Sequence, residues 1–374
     1  MKFVVSSTAL YSHISAISRV INSKNALPIL DCFLFEVKGS QLLITASDGE
    51  VAMKTEVEIA DSDAEGDICY VAKNMLDSLK ELSERPLTFK INMETLETEI
   101  NYQNGKYNII GQSADVFPRM VPSEGDKMIV KLPDAVFAEG INTTLFAAAN
   151  DELRPVMNGV YFDIKPDCLT FVASDGHKLV RDRALSVKSE QEGTFILPQK
   201  PSALLKALLP KDDDEAEIAF DSRNVVVKFS DYTLICRLVE GHYPNYNSVI
   251  PTNNSQKVVI DRLSILGALK RVSVFSSQSS NLIKLSLKQG QLNLSAQDVD
   301  FSTSAEETVV CDYNGIPLNI GFKSTFLVEI MSNIPAENVE IQLSDSSRPG
   351  VIVPVEQKKD NDLLMLIMPM MLND

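Results

Sequence analysis

A chain of 374 residues exceeds what one hydrophobic core usually fills, roughly 250–300 residues, so two or three domains are expected. With 44% hydrophobic and 23% charged residues it is ordinary globular material, neither disordered nor fibrous. A net charge of −16 argues against a broadly polyanion-binding surface, so any nucleic-acid contact must rest on local basic segments.

The five cysteines (Cys32, Cys69, Cys168, Cys236 and Cys311) are odd in number and widely spaced, with no C-x-x-C pair. That pattern fits reduced, buried thiols and neither a disulfide framework nor a zinc site. The start, Met1-Lys2-Phe3-Val4-Val5, has no signal-peptide pattern, and the apolar run Leu363–Leu372 is too short to span a bilayer. A cytoplasmic protein without metal or cofactor is the expectation.

In chain order the first element is an amphipathic helix over Ser7–Ile21, with Leu10, Ile14, Ile17 and Ile21 on one face. Two alternating strands follow, Cys32–Val37 and Gln41–Ala46, around the turn Lys38-Gly39-Ser40. A second helix is expected at Lys73–Glu84. The same order returns with helices at Pro133–Ala148 and Lys200–Leu209, then strands at Glu217–Phe220 and Val225–Phe229. It returns again with helices at Asp261–Phe275 and Lys323–Asn333. Ser7, Asp134 and Asp261 are the expected N-caps of the leading helices.

The register of these copies is constant. Asp48, Asp175 and Asp298 are separated by 127 and 123 residues, and so are Lys73, Lys200 and Lys323. Phe35, Phe162 and Leu285 keep those offsets, as do Leu42, Leu169 and Leu292. An apolar-Pro pair closes each third: Phe117-Pro118, Tyr243-Pro244 and Met368-Pro369. Tandem triplication follows. Polar turn residues at Gly125-Asp126 and Asn253-Asn254 set the expected domains at 1–125, 126–253 and 254–374. The fold class is α+β with mainly antiparallel sheets and helices on one face. Tandem copies with a free sheet edge at each end form either a filament or a closed ring.

Charge is distributed unevenly. Lys2–Leu30 and Thr194–Lys211 contain no acid, and Lys257–Arg271 holds four basic residues against one Asp. The acids collect elsewhere, at Asp61–Asp67 and in Asp212-Asp213-Asp214-Glu215. A shared helical face of this kind offers sequence-independent phosphate contact.

Enzyme signatures are missing. Only His13, His177 and His242 are present, and no phosphate-binding loop, nucleophile elbow or zincin motif occurs. Ser174-Asp175-Gly176-His177 has the residue types of a hydrolase or metal site. Asp-Gly also stands at Asp48-Gly49 without a histidine, which favours a turn aspartate. The end, Leu364-Met365-Leu366-Ile367-Met368-Pro369-Met370-Met371-Leu372, is too apolar for a free tail. Pro369 ends any strand there and leaves methionines for an apolar partner.

Five segments together carry a family resemblance over the whole chain: Met1-Lys2-Phe3, Leu27-Pro28-Ile29-Leu30, Ser174–Leu179, Leu238–Tyr246 and Met368-Pro369-Met370. The sequence resembles the bacterial sliding clamps, the beta subunits of replicative DNA polymerase III. The resemblance implies three clamp domains per chain and a homodimeric ring with helices lining the hole and sheets outside. It implies double-stranded DNA, a replicative polymerase subunit, a clamp loader and other motif-bearing proteins as partners, and no catalysis.

It further implies a peptide pocket of Met157, Ser174, Gly176, His177, Lys178, Leu179, Pro244, Ser248, Val249, Leu366, Ile367, Met368, Pro369, Met370 and Met371. DNA contacts map to Lys24, Lys73, Arg154, Gln199 and Lys200. The dimer interface maps to Lys106, Tyr107 and Ile109 and to Val274, Phe275, Asp300, Glu306 and Glu307. The chain departs from the family pattern at Pro155-Val156, where some members carry an aromatic pair. It departs again at Asn247-Ser248 and Met371, where basic residues are frequent, and in Asn373-Asp374 past the usual end. Two other readings compete: a hydrolase or metal enzyme using Asp175 and His177, and an acidic scaffold that never touches DNA.

Overall fold

The computed structural model describes residues 1–121, 125–212 and 214–372; Asp213 and Asn373-Asp374 lie outside the described residues. Each sequence third carries eight strands and two helices among those described. The first has β1 (Lys2–Ser6), β2 (Cys32–Lys38), β3 (Gln41–Ser47), β4 (Val51–Glu58), β5 (Gly66–Val71), β6 (Pro86–Ile91), β7 (Glu97–Tyr102) and β8 (Gly105–Ile110), with α1 (Ser7–Ile17) and α2 (Ala72–Leu79). The second has β9 (Met128–Pro133), β10 (Gly159–Lys165), β11 (Cys168–Ser174), β12 (Lys178–Ala184), β13 (Gly193–Pro198), β14 (Glu215–Phe220), β15 (Asn224–Phe229) and β16 (Tyr232–Arg237), with α3 (Asp134–Thr144) and α4 (Gln199–Leu208). The third has β17 (Gln256–Asp261), β18 (Leu282–Lys288), β19 (Gln291–Asp298), β20 (Thr303–Val310), β21 (Leu318–Lys323), β22 (Asn338–Leu343), β23 (Gly350–Pro354) and β24 (Asn361–Ile367), with α5 (Arg262–Ser273) and α6 (Ser324–Asn333).

The chain forms two compact units that cut across these thirds: residues 1–135 with 207–238, and 136–206 with 239–374. The first unit holds an antiparallel sheet ordered β5-β2-β3-β4-β16-β15-β14-β9 and a four-stranded sheet β1-β6-β7-β8. Its core includes Phe3 stacked on Phe89 at 4.7 Å and Phe35 edge-on to Tyr70. The second unit holds β13-β10-β11-β12-β24-β23-β22-β17 and the four-stranded β20-β19-β18-β21. Phe162, stacked on Phe195 at 4.4 Å, centres one part of its core.

Triplication is visible in the strand register. Phe35 pairs with Ile44, Phe162 with Phe171 and Leu285 with Leu294, all six buried. A one-residue slip would carry each of these residues to the opposite face of its sheet; in the third copy, where buried and partly exposed residues alternate along β18 and β19, burial alone pins the register. Each eight-stranded sheet is two four-stranded halves from adjacent thirds, joined at β4–β16 in one unit and β12–β24 in the other. The counterparts of the joining strands at the two ends of the chain are β20 and β8. Both are sheet edges with one strand partner each.

The turn aspartates are structural in every copy. Asp48 Oδ1 accepts the N–H groups of Glu50 and Val51, and Asp175 Oδ1 those of His177 and Lys178. Asp298 Oδ1 accepts from Asp300 and Phe301. This is the Asx turn that the side chain favours.

The helix starts need correction. Ser6, not Ser7, caps α1, its Oγ accepting the Ala9 N–H at 3.1 Å. The Ser7 hydroxyl donates instead to the Ser83 carbonyl. Asp261 caps α5 through the Ser264 N–H at 2.7 Å, as expected. Helix α2 stops at Leu79 rather than Glu84: the Leu82 N–H turns back to the Leu79 carbonyl, and the Glu84 carboxylate is held by Ser6 and Thr8. Asp134 caps nothing: it is fully buried and neither carboxyl oxygen has a hydrogen-bond partner.

Burial, then the neighbouring Asp212 and Asp214, push the Asp134 carboxyl up from 3.8 to about 6. The folded state therefore holds a proton that the unfolded chain releases, and stability falls as pH rises from about 4 to about 6. The full loss is on the order of 3 kcal/mol. Asp134→Asn is expected to raise the urea midpoint at pH 7.5 but not at pH 4. Parallel shifts of wild type and variant at the two pH values would refute the assignment.

Candidate functional site

All fifteen residues of the expected peptide pocket belong to the second unit. The floor comes from β12 and β24, where Leu179 lies opposite Leu366. These two leucines share an apolar cluster with Val172 and Tyr246, edged by Tyr161, Tyr243, Ile250 and Leu364. Tyr161 stacks on Tyr243 at 4.5 Å, and the Tyr246 hydroxyl donates to Asp163 at 2.8 Å. Those two bonds fix three aromatic rings that carry an exposed rim of Pro244, Ser248 and Val249.

The turn Ser174–Lys178 forms another wall. Ser174 Oγ donates to the Lys178 carbonyl and accepts the Gly176 N–H. Gly176 has φ +90°, a backbone conformation that favours glycine, and it leaves room for the Arg154 guanidinium beside it. Arg154 donates to the Asp175 carbonyl and to Asp151, which seats the 3₁₀ turn Pro155–Met157 beside it. His177 is exposed, and its carbonyl accepts the Met368 N–H at 2.8 Å.

The terminal segment splits in two. Ile367 is buried in the core, whereas Met368 is 38% exposed and stays at the groove. Met370 donates its N–H to the Gly321 carbonyl on β21, and Met371 projects into solvent. Lys178 also turns inward. Its ammonium lies 2.7 Å from Asp175, 3.1 Å from Glu329 and over the Phe326 ring. Burial raises the Asp175 carboxyl, but the Lys178 side chain and the turn's N–H groups outweigh it and hold the pKa below the usual range.

Three α6-side residues escaped the sequence reading: Lys323, Phe326 and Glu329, with Lys178 and Lys323 both over the Phe326 ring and His177 stacked on it at 6.0 Å. Their three-residue spacing on a predicted helix was the available signal. No Ser-His-Asp relay forms. Asp175 binds the backbone of His177 rather than its ring, and the ring rests on Phe326. No group of three His, Cys, Asp or Glu suited to a metal occurs among the described residues.

The expected DNA residues divide between the units. Lys24 and Lys73 are exposed in the first. In the second, Lys200 is half-buried on α4, Arg154 is paired as above, and the Gln199 amide is bonded to the Ala149 carbonyl at 2.6 Å. Of the expected interface residues, Lys106, Tyr107 and Ile109 lie on edge strand β8, with Lys106 paired to Glu99 at 3.3 Å. Glu306 and Glu307 lie on edge strand β20, Glu307 paired with Arg271. Val274 and Phe275 project from the end of α5, and Asp300 is exposed in the turn before β20. No described helix is long and apolar enough to cross a membrane.

Three copies of one antiparallel two-helix domain, fused through half-sheets and ending in two open strand edges, define a tandem-repeat class of protein built to pair further through its edges. The N-terminal, central and C-terminal domain families of the DNA polymerase III beta subunit match residues 1–121, 131–245 and 247–371. The beta sliding clamp of Synechococcus elongatus is 30% identical over 383 residues, and that of Pseudomonas aeruginosa 28% over 373, each alignment covering both chains fully. A crystal structure of the Pseudomonas aeruginosa clamp bound to griselimycin superposes with TM-score 0.93 at 26% identity over all of both chains. A Thermotoga maritima beta subunit gives 0.89 at 26% identity, again over both chains. The chain belongs to the DNA polymerase III beta subunit family, the bacterial sliding clamps.

Proposed function

We propose that this chain is a DNA sliding clamp whose domains, 1–125, 126–253 and 254–374, close head to tail with a second copy into a ring around duplex DNA. The ring tethers the replicative polymerase, is opened by a loader, and recruits other proteins through the groove at Leu179, His177, Pro244 and Met368. It does no chemistry of its own.

One observation carries this reading. β4 joins β16 and β12 joins β24, while their counterparts β20 and β8 remain open edges. An open edge invites the missing strand. Carrying the internal registers over pairs Ile109 with Thr303 and Lys106 with Glu306 across two copies. Opposite charges then face each other across the new junction, a favourable cross-strand pair.

The test is retention. Loaded onto nicked circular DNA, the protein should stay bound through gel filtration and be released by linearisation, with no footprint at any sequence. Lys24→Glu, Lys73→Glu and Lys200→Glu together should lower loading severalfold and leave the dimer intact, because phosphate contacts are electrostatic and sequence-independent. Equal loss from circular and linear DNA would mean that the chain is not a topological clamp.

A further inference from the structure

The turn that carries His177 is built identically in the first third, where Val51 stands in place of Lys178, and by the same aspartate in the third, where Phe301 follows Asp298 at that spacing. The turn therefore needs no lysine. What Lys178 adds is a tie to α6. Its buried ammonium bridges Asp175 at 2.7 Å and Glu329 at 3.1 Å, and sits 4.4 Å from the centre of the Phe326 ring. The Glu329 oxygen involved is itself buried, with no hydrogen-bond partner, and its ion-pair partner is that ammonium. Phe326 in turn stacks on His177, whose carbonyl holds Met368.

We infer that Glu329 is a positioning residue for the peptide groove: through Lys178 it clamps the 174–178 turn onto α6 and so sets both the His177 ring and the Met368 backbone. The inference rests on the peptide-groove reading above. A lysine enclosed by two carboxylates and a ring presents no charge to a ligand, so its contribution to binding is geometric. Pre-organised walls lower the ordering cost of binding, and loss of the clamp should appear as weaker affinity without a weaker fold.

The probe is a fluorescein-labelled peptide, Gln-Leu-Ala-Leu-Phe, measured by anisotropy on the full-length protein. Glu329→Gln keeps the shape and removes the charge; it is expected to bind about three- to tenfold more weakly. Its melting temperature and dimer should be unchanged. Lys178→Met should lose a similar factor, and the double variant no more than the worse single one, because both remove one clamp. The His177 ring protons should lose their ring-current shift in Glu329→Gln, which a generally structural role at α6 would not produce. Met368→Glu is the control for the groove itself. If it weakens binding while Glu329→Gln does not, the clamp is overturned and the groove stands. Additive losses also overturn the clamp. If Met368→Glu binds as wild type does, or wild type does not bind, the groove falls and the clamp with it.

Discussion

Val274→Glu is expected to convert the proposed dimer, at twice the chain mass of 41.3 kDa, into a monomer. The reason lies in the repeat. Val274 is the third counterpart of Val20 and Ala147, each following at a spacing of 127 residues. Val20 and Ala147 are fully buried at the ends of their helices, whereas Val274 is 76% exposed. The turns bearing the first two pack on β4 and β12, the strands that join their sheets to the next third. Beside Val274 the equivalent strand is β20, which has no partner on that side. Completing the junction with β8 of a second copy would bury Val274 alongside Phe275. A glutamate there places an unpaired charge in an apolar contact, at about 3–5 kcal/mol for each junction. A closed ring of two copies has two such junctions, so dissociation should rise by about four orders of magnitude or more. Sedimentation velocity at micromolar concentration reads the result. Because Val274 is exposed in the single chain, the variant should stay folded as a monomer, with its melting temperature lowered only by the lost mass-action stabilisation of the dimer. A variant that still sediments as a dimer places the interface elsewhere.

Much of this architecture was legible because duplication writes the same signal three times. Phe35, Phe162 and Leu285 fixed a hairpin whose register depends only on alternation and burial, and the structure has it in all three copies. Helix ends were less legible. Ser7 and Ser6 are the same residue type, and which one caps α1 is decided by Ser83 and Arg85, which are distant in sequence but bond Ser7. The fusion of half-sheets across the thirds was not legible at all, since no local pattern in β4 names β16 as its neighbour. Of the proposed groove, proline and methionines marked the terminal segment, whereas the turn at 174–178 read only as a structural Asp-Gly turn and entered the groove through the family resemblance. That Lys178 points inward follows from Glu329 and Phe326, whose approach is a tertiary event. The backbone bond from Met370 to Gly321 has the same origin.

Removing Met368 to Asp374 is expected to abolish binding of the Gln-Leu-Ala-Leu-Phe peptide while leaving the dimer. Strand β24 ends at Ile367, and its core residues Met365 and Ile367 are retained, so the sheet keeps its register. What is lost is the Met368 side chain at the groove, the bond from its N–H to His177, and the anchor from Met370 to Gly321. A short peptide holds by a few apolar anchors, so deleting one wall of a small groove removes a large share of its affinity. The loss should exceed about a hundredfold, or roughly 2.7 kcal/mol. The deletion removes Leu372 from a hollow it shares with Ser304, Ala305 and Glu306 but leaves the backbone edges of β8 and β20 in place, so sedimentation should still give a dimer. On circular DNA the truncated ring should remain trapped but no longer retain the polymerase, because topology supplies the high local concentration and the groove supplies the contact. Normal peptide binding by the truncated chain would move the groove away from the terminal segment. Should the deletion lower the melting temperature, Met368→Glu decides instead, since that side chain is exposed and its loss leaves both backbone bonds in place.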